Sequence, residues 1–200
     1  MTLLEVMVMI LVLSITLTAM FTTLIQGINL QRLIQQRVQA TNIAREGIEG
    51  VVNLRNTNWL RFTSNRTNCW NVKDYNANCI TTKPTTTNTL SGPNLLFRKN
   101  GAWWLSGTTQ FDESQWGDSM DRFRIYIDDN GWYTSTGTFT ELCNASRRTG
   151  CKSIFSREIQ ITSLSDDALE VTAIVRWRDA SPRKVTLTEI IRNWKKNYDK

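Results

Sequence analysis

The 200-residue sequence contains no histidine. Histidine is the usual general base of hydrolytic triads and the commonest protein ligand of metals, so its absence excludes such triads and His-based zinc sites. Catalysis by a Ser-Lys pair or by two carboxylates is compatible with the composition, but no residue spacing indicates it. We therefore predict no catalytic residue, no metal site and no cofactor, and we expect that the protein is not an enzyme.

Charge is almost absent from the start of the chain. Glu5 is the only ionisable side chain among the first thirty residues, and the next is Arg32. Such an apolar stretch exceeds the roughly 20 residues that a helix needs to cross a bilayer. A carboxylate in the middle of a membrane costs on the order of 3 kcal/mol on insertion scales, so it usually has a partner. The nearest candidate partner is an amino terminus, which is a cation a few residues away.

Basic residues are missing where a targeting segment normally has them. A signal anchor or signal peptide begins with Lys and Arg before its apolar core, whereas Met1 directly precedes the apolar stretch here. An ordinary signal anchor, with Glu5 reaching the lipid headgroups, is therefore the weaker interpretation. We expect instead that a basic leader has been removed and that Met1 is a new amino terminus.

The start of the chain carries a recognisable motif. The run Met1-Thr2-Leu3-Leu4-Glu5, followed by an apolar helix and then an amphipathic one, resembles the mature start of a type IV pilin or pseudopilin. The closing strands predicted at residues 171–177 and 185–194 resemble, more loosely, those of many bacterial prepilin-type proteins.

Two positions depart from that family pattern. Met1 stands where a Phe is usual, and Phe21-Thr22-Thr23 occupies the place where many major pilins carry a proline. Gly27 follows shortly after, and we expect it to weaken the helix locally in place of the proline.

The resemblance implies an α+β fold, the type IV pilin fold, with a long N-terminal helix packed on an antiparallel β-sheet head. It implies that a prepilin peptidase exposes Met1, that Met1 is N-methylated, and that Glu5 pairs with the terminal amine of a neighbouring subunit. The implied partners are further copies in a helical filament, the inner (cytoplasmic) membrane before assembly, and the pilus assembly machinery. The implied location is a cell-surface pilus, after membrane anchoring by a single helix. Two alternatives are a minor or tip pilin that binds DNA or a surface ligand, and a pseudopilin of a type II secretion-like apparatus.

Cysteine is scarce, with only Cys69, Cys79, Cys143 and Cys151. No Cys-x-x-Cys pair occurs, which disfavours a four-cysteine zinc site. An even number in an exported domain favours disulfides, for which three connectivities are possible. We predict the local pairs Cys69–Cys79 and Cys143–Cys151, each of which should stabilise the fold by roughly 2–3 kcal/mol.

Periodicity divides the chain into four segments. Residues 1–29 form an apolar half-helix that spans a membrane or fills a filament core, and residues 30–54 form the amphipathic half of the same helix. Residues 55–93 show no sustained period and are predicted to be a loop region with one disulfide. Residues 94–200 form the β-sheet head. The amphipathic half has apolar or small residues every three or four positions, which predicts one buried stripe: Leu30, Ile34, Val38, Thr41, Ala44, Ile48 and Val51.

Turn signals and alternation predict the sheet. Asn100-Gly101 separates residues 94–99 from residues 102–106, and a second turn at residues 128–131 separates residues 122–127 from residues 132–136. Three alternating runs follow, at residues 156–162, 169–177 and 184–194. This pattern predicts an antiparallel sheet with one buried face, covered by the stripe on the first helix.

The remaining composition bears on partners. A net charge of +6 suits anionic partners such as DNA, acidic polysaccharide or lipid headgroups, but without a dense basic run a solvated surface is the simpler interpretation. There are eight tryptophans. Core packing explains Trp177 and, we expect, Trp194, whereas tryptophans near Arg or Lys could also stack on sugars or bases.

Overall fold

The computed structural model describes residues 2–99, 101–127, 133–135 and 152–195, with the side chains of residues 127 and 152 left out. Met1, Asn100, the predicted turn at residues 128–131 and the predicted Cys143–Cys151 pair lie outside the described residues. The chain divides into two compact units, Met1–Gln39 and Ala40–Lys200. Its architecture is α+β, with a long N-terminal helix packed on an antiparallel sheet.

The first helix, α1 (Leu3–Arg61), is continuous over 59 residues, so residues 21–27 are helical despite Gly27. It ends seven residues beyond the predicted end at residue 54. The extra two turns form because Asn58 and Trp59 continue the buried face. The Asn58 amide donates to the backbone carbonyls of Trp70 and Val72, which holds the following segment against the helix.

The buried face of α1 begins at Ala40, which corrects the predicted stripe. Leu30, Ile34 and Val38 are exposed, each by more than half. The core face is instead built largely from small and β-branched side chains, which let the helix approach the sheet closely: Ala40, Ile43, Ala44, Gly47, Ile48, Gly50, Val51, Leu54, Asn58 and Trp59.

Short elements connect the helix to the sheet. They are α2 (Arg66–Cys69) and a 3₁₀ turn (Ala77–Ile80), both within the segment predicted to be a loop. The Cys69–Cys79 disulfide joins them. The side chains of Asn65 and Asn76 cap the two short elements by accepting from the backbone N–H groups of Asn68 and Asn78.

Within the described residues the sheet has seven antiparallel strands, one of which is long and pairs with other strands on both of its edges. The strands are β1 (Gly92–Lys99), β2 (Ala102–Gly107), β3 (Arg124–Ile127), β4 (Tyr133–Thr134), β5 (Lys152–Ser165), β6 (Ala168–Arg178) and β7 (Pro182–Arg192). Strand β6 pairs with one edge of β5, and β7 pairs with the other edge of β6. The other edge of β5 is shared by the β1–β2 and β3–β4 hairpins.

The second face of the sheet is partly covered as well, which differs from the prediction of one buried face. The segment between β2 and β3 contains α3 (Trp116–Arg122) and lies over β5 and β6. It carries a small second core, formed by Phe111, Met120 and Phe123 with Leu95 and Trp116 packed against them. Alternation along the strands could not predict this cover, because the covered face of β5 and β6 carries polar and charged residues.

Candidate functional site

The apolar half of α1 is an extended exposed surface. Its large apolar side chains from Leu3 to Leu30 are between 43% and 81% exposed. The helix is long and apolar enough to cross a membrane, and none of its most apolar 18-residue stretch is buried within the chain. Large exposed apolar surfaces of this kind mark sites of contact with a membrane or with another protein.

The hydroxyl groups on this surface have partners within the helix. Ser14, Thr16, Thr18, Thr22 and Thr23 each donate to a backbone carbonyl three or four residues earlier, at 2.7–3.1 Å. Hydrogen bonds of this kind let Ser and Thr enter an apolar environment without an unsatisfied donor. These hydroxyls therefore need no partner from outside the helix.

Glu5 differs from them because its side chain can carry a full charge. It lies exposed in the first turn of α1. The partial positive charge at a helix N-terminus favours a carboxylate there by about 0.3–1 kcal/mol. That is less than the roughly 3 kcal/mol cost of a charge in an apolar surrounding. A full positive charge is needed to make up the difference. Met1, the residue predicted to supply that amine in a neighbouring copy, lies outside the described residues.

A buried ion pair joins strand β5 to α1. The Arg157 guanidinium on β5 is fully buried, and its Nη1 lies 3.5 Å from Oε1 of Glu46 on the helix. It also donates to the carbonyls of Ile43 and Leu96, at 3.3 and 3.4 Å. Burial raises the pKa of the Glu46 carboxyl, and the attraction of Arg157 opposes that shift. The same burial lowers the pKa of Arg157. The sequence carries no periodic signal for this pair, whose members are 111 residues apart.

A second buried pair lies on the other face of the sheet. Glu158 Oε2 accepts from Arg176 Nη1 at 2.7 Å, and its other oxygen accepts from the backbone N–H of Phe111 and from Gln160. The Arg176 guanidinium also stacks over the Phe111 ring at 4.0 Å. This pair therefore attaches the segment that carries α3 to the sheet, and its groups are occupied by that structural role.

The predicted site residues that the structure describes fall in different units of the chain. Glu5 lies in the first unit of the chain, whereas the buried, bonded Cys69 and Cys79 lie in the second. Trp177 is buried as predicted, but Trp194 is 57% exposed, which overturns its assignment to the core. It is exposed because the alternation continues past the end of β7: Ile191 and Asn193 are buried, so Trp194 lies on the other, exposed side.

No metal site is evident in the parts of the chain that the structure describes, where no three Cys, Asp or Glu side chains are placed to share an ion. Searches against family models, curated proteins and solved structures found no match to this chain.

Proposed function

We propose that this chain is a structural subunit of a type IV pilus-like extracellular filament, assembled through α1. The observation that carries the proposal is an exposed apolar helical surface with one carboxylate, Glu5, in its first turn. The type IV pilin fold and the cell-surface location belong to the same proposal. The function is polymerisation rather than catalysis.

The proposed mechanism exchanges one apolar environment for another. Before assembly, the apolar half of α1 lies in the membrane. During assembly it moves into a bundle of equivalent helices, where apolar contacts between helices replace contacts with lipid. Since lipid tails are as apolar as the helix, this exchange has little hydrophobic driving force, and packing and polar pairs must supply it.

Glu5 supplies such a polar pair. A cation at about 4 Å from a carboxylate contributes about 4 kcal/mol at the effective dielectric typical near a protein surface, which exceeds the cost of the isolated charge. In the proposed filament this cation is the N-methylated amine of Met1 on a neighbouring subunit. The pair also fixes the stagger of one helix against the next, because only one register brings the two groups together.

Substitution of Glu5 tests the proposal in cells that express the chain with its assembly machinery. We expect Glu5→Ala to remain in the membrane fraction but to yield few sheared filaments, since the variant cannot neutralise the neighbouring amine. Ser14→Ala is the matched control, because the Ser14 hydroxyl bonds only within its own helix, and it should give a normal yield. A normal filament yield from Glu5→Ala would contradict the proposal.

The composition of the filaments separates the structural subunit from its two alternatives. Intact-mass spectrometry with amino-terminal sequencing should find this chain as the dominant species of sheared filaments, beginning at an N-methylated Met1. Filaments that contain only traces of the chain would identify a minor or tip pilin instead. Filaments that form only with a secretion apparatus would identify a pseudopilin.

A further inference from the structure

An exposed tryptophan lies among cations at the C-terminal end of α1. We call the group Arg55, Trp59, Arg66, Trp194 and Lys195 the Trp194 patch. The rings of Trp59 and Trp194 meet edge to face at 5.2 Å. Trp59 is buried, whereas 57% of Trp194 is open to solvent. The patch therefore presents one large aromatic surface, supported from below by a second ring.

The position of Trp194 is fixed by the residue before it. Asn193 is buried, and its side-chain oxygen accepts from the indole N–H of Trp59 at 2.9 Å. The backbone N–H of Asn193 donates to the carbonyl of Asp167, also at 2.9 Å. These bonds attach the residue directly before Trp194 to the core. The exposed ring is thus held in place before any ligand arrives, which lowers the entropy cost of binding.

Positive charge surrounds the two rings. The Arg55 guanidinium lies 4.4 Å above the Trp59 ring, and the Lys195 ammonium lies 5.1 Å from the Trp194 ring and 5.2 Å from that of Trp59. Arg66 donates to the carbonyl of Trp59, at 3.3 Å. Glu189 is an acid whose charge acts on Arg55. The patch combines an exposed aromatic surface with the adjacent cations of Arg55 and Lys195.

We propose that the Trp194 patch binds single-stranded nucleic acid. Each nucleotide offers a flat base and one phosphate, which are the two groups that an exposed indole and adjacent cations recognise. A neutral sugar would use the ring and leave the cations without a role, and an acidic peptide would use the cations alone. The binding site lies wholly within the second unit of the chain and is independent of assembly through α1.

Fluorescence anisotropy of the full-length chain in detergent micelles tests this binding, with a fluorescein-labelled oligothymidine of about 12 nucleotides as the probe. We expect Trp194→Ala to weaken binding by on the order of tenfold or more, as loss of a stacked base does elsewhere. Trp194→Phe should retain most of the affinity because it keeps an aromatic face. Lys195→Gln should reduce the salt dependence, lowering the slope of log K against log salt by about 0.7.

Matched controls separate specific binding from general attraction to a basic protein. Lys184→Gln removes an exposed cation on β7 that pairs with Glu113, and it should leave the affinity unchanged. Thermal unfolding should be similar for the Trp194 and Lys184 variants, whose side chains are exposed, and it checks the fold of Lys195→Gln, whose side chain is only partly exposed. The proposal is overturned if the wild type does not bind at low salt or if Trp194→Ala binds as the wild type does. It is also overturned if a sulfated oligosaccharide of equal charge binds more tightly than the oligothymidine.

Discussion

At the scale of single residues, the head contains two buried arginines, each beside a carboxylate on a different face of the sheet. Arg157 reaches Glu46 on α1, and Arg176 reaches Glu158 on the neighbouring strand. Removing one partner of such a pair leaves the other as an uncompensated buried charge, which typically costs 3–5 kcal/mol. These pairs therefore fix how α1 and the segment with α3 attach to the sheet, even where their net contribution to stability is small.

Glu46 makes stability depend on pH in a direction opposite to that of most carboxyl groups. Burial raises its pKa above the usual 4.5 in the folded state, so the folded protein binds this proton more tightly than the unfolded chain does. The stability that tighter binding of this proton contributes is present below about pH 4.5, and it is lost as the pH rises through the folded-state pKa of Glu46. Glu46→Gln cannot titrate. We expect the free energy of unfolding of the wild type, relative to that of this variant, to fall as the pH rises from about 4 to 7.

Guanidinium unfolding in a nonionic detergent, followed by tryptophan fluorescence at several pH values, measures that difference. At the acidic end of this range the wild-type carboxyl is neutral, as the substituted amide is, so any remaining offset there reflects packing and hydrogen bonding, and the trend with pH is diagnostic. A difference that rises with pH would show that the attraction of Arg157 outweighs burial.

At the scale of elements, α1 combines two helical surfaces with different requirements. In its apolar half, a Cβ added at Gly27 would have no described atom within 4 Å. Against the sheet, the added Cβ at Gly50 would lie 2.6 Å from Leu96 Cδ2, and that at Gly47 would lie 2.8 Å from Ile159 Cδ1. A methyl group added at either glycine facing the sheet would therefore displace a buried side chain, whereas one added at Gly27 would not.

This contrast predicts opposite effects for two substitutions of the same kind. Gly50→Ala gains about 1 kcal/mol of helix propensity but forces the buried Leu96 to move, and such overpacking costs about 1–3 kcal/mol. We expect a net loss of stability of about 1 kcal/mol, measured by denaturant unfolding of the head. Gly27→Ala, the matched control, should be neutral or slightly stabilising. Equal effects of the two substitutions would show that the head accommodates the methyl group.

At the scale of the whole molecule, the core of the chain and its apolar surface belong to different segments. Every buried apolar residue that the structure describes lies at or after Ala40, whereas the longest exposed apolar surface lies before it. The fold of the second unit thus does not depend on burial of the apolar half-helix. In the proposed function, the same surface is covered by lipid before assembly and by other copies in the filament.

Deletion of residues 1–29 tests this separation. We expect the shortened chain to be soluble without detergent and to unfold cooperatively, because the deletion removes no buried contact. Its free energy of unfolding should match that of the head in the full chain within about 0.5 kcal/mol, the usual range for changes at exposed sites. Circular dichroism and denaturant unfolding give the comparison. Loss of cooperative unfolding would show that the first unit contributes to the core.

Much of the architecture could be predicted from local pattern. The long helix, the hairpin around Gly101 and the three closing strands follow from periods of 3.6 and 2 residues and from turn residues. The element boundaries were less accurate. The apolar pattern predicts that α1 ends at residue 54, because Arg55, Asn56 and Thr57 interrupt it. The helix continues to Arg61 because the buried Asn58 bonds to a later segment of the chain.

The sequence by itself determined that this chain has an apolar helix with one unexplained carboxylate, and that antiparallel strands follow it. These properties depend on residues close together in the chain, where helix and strand periods act. Only the tertiary structure decided where the helix begins to be buried, which glycines meet the sheet, and which arginine pairs with Glu46. It also decided that Trp194 faces solvent. Each of these depends on residues far apart in sequence that the fold brings within a few ångströms, and no local period encodes such a distance.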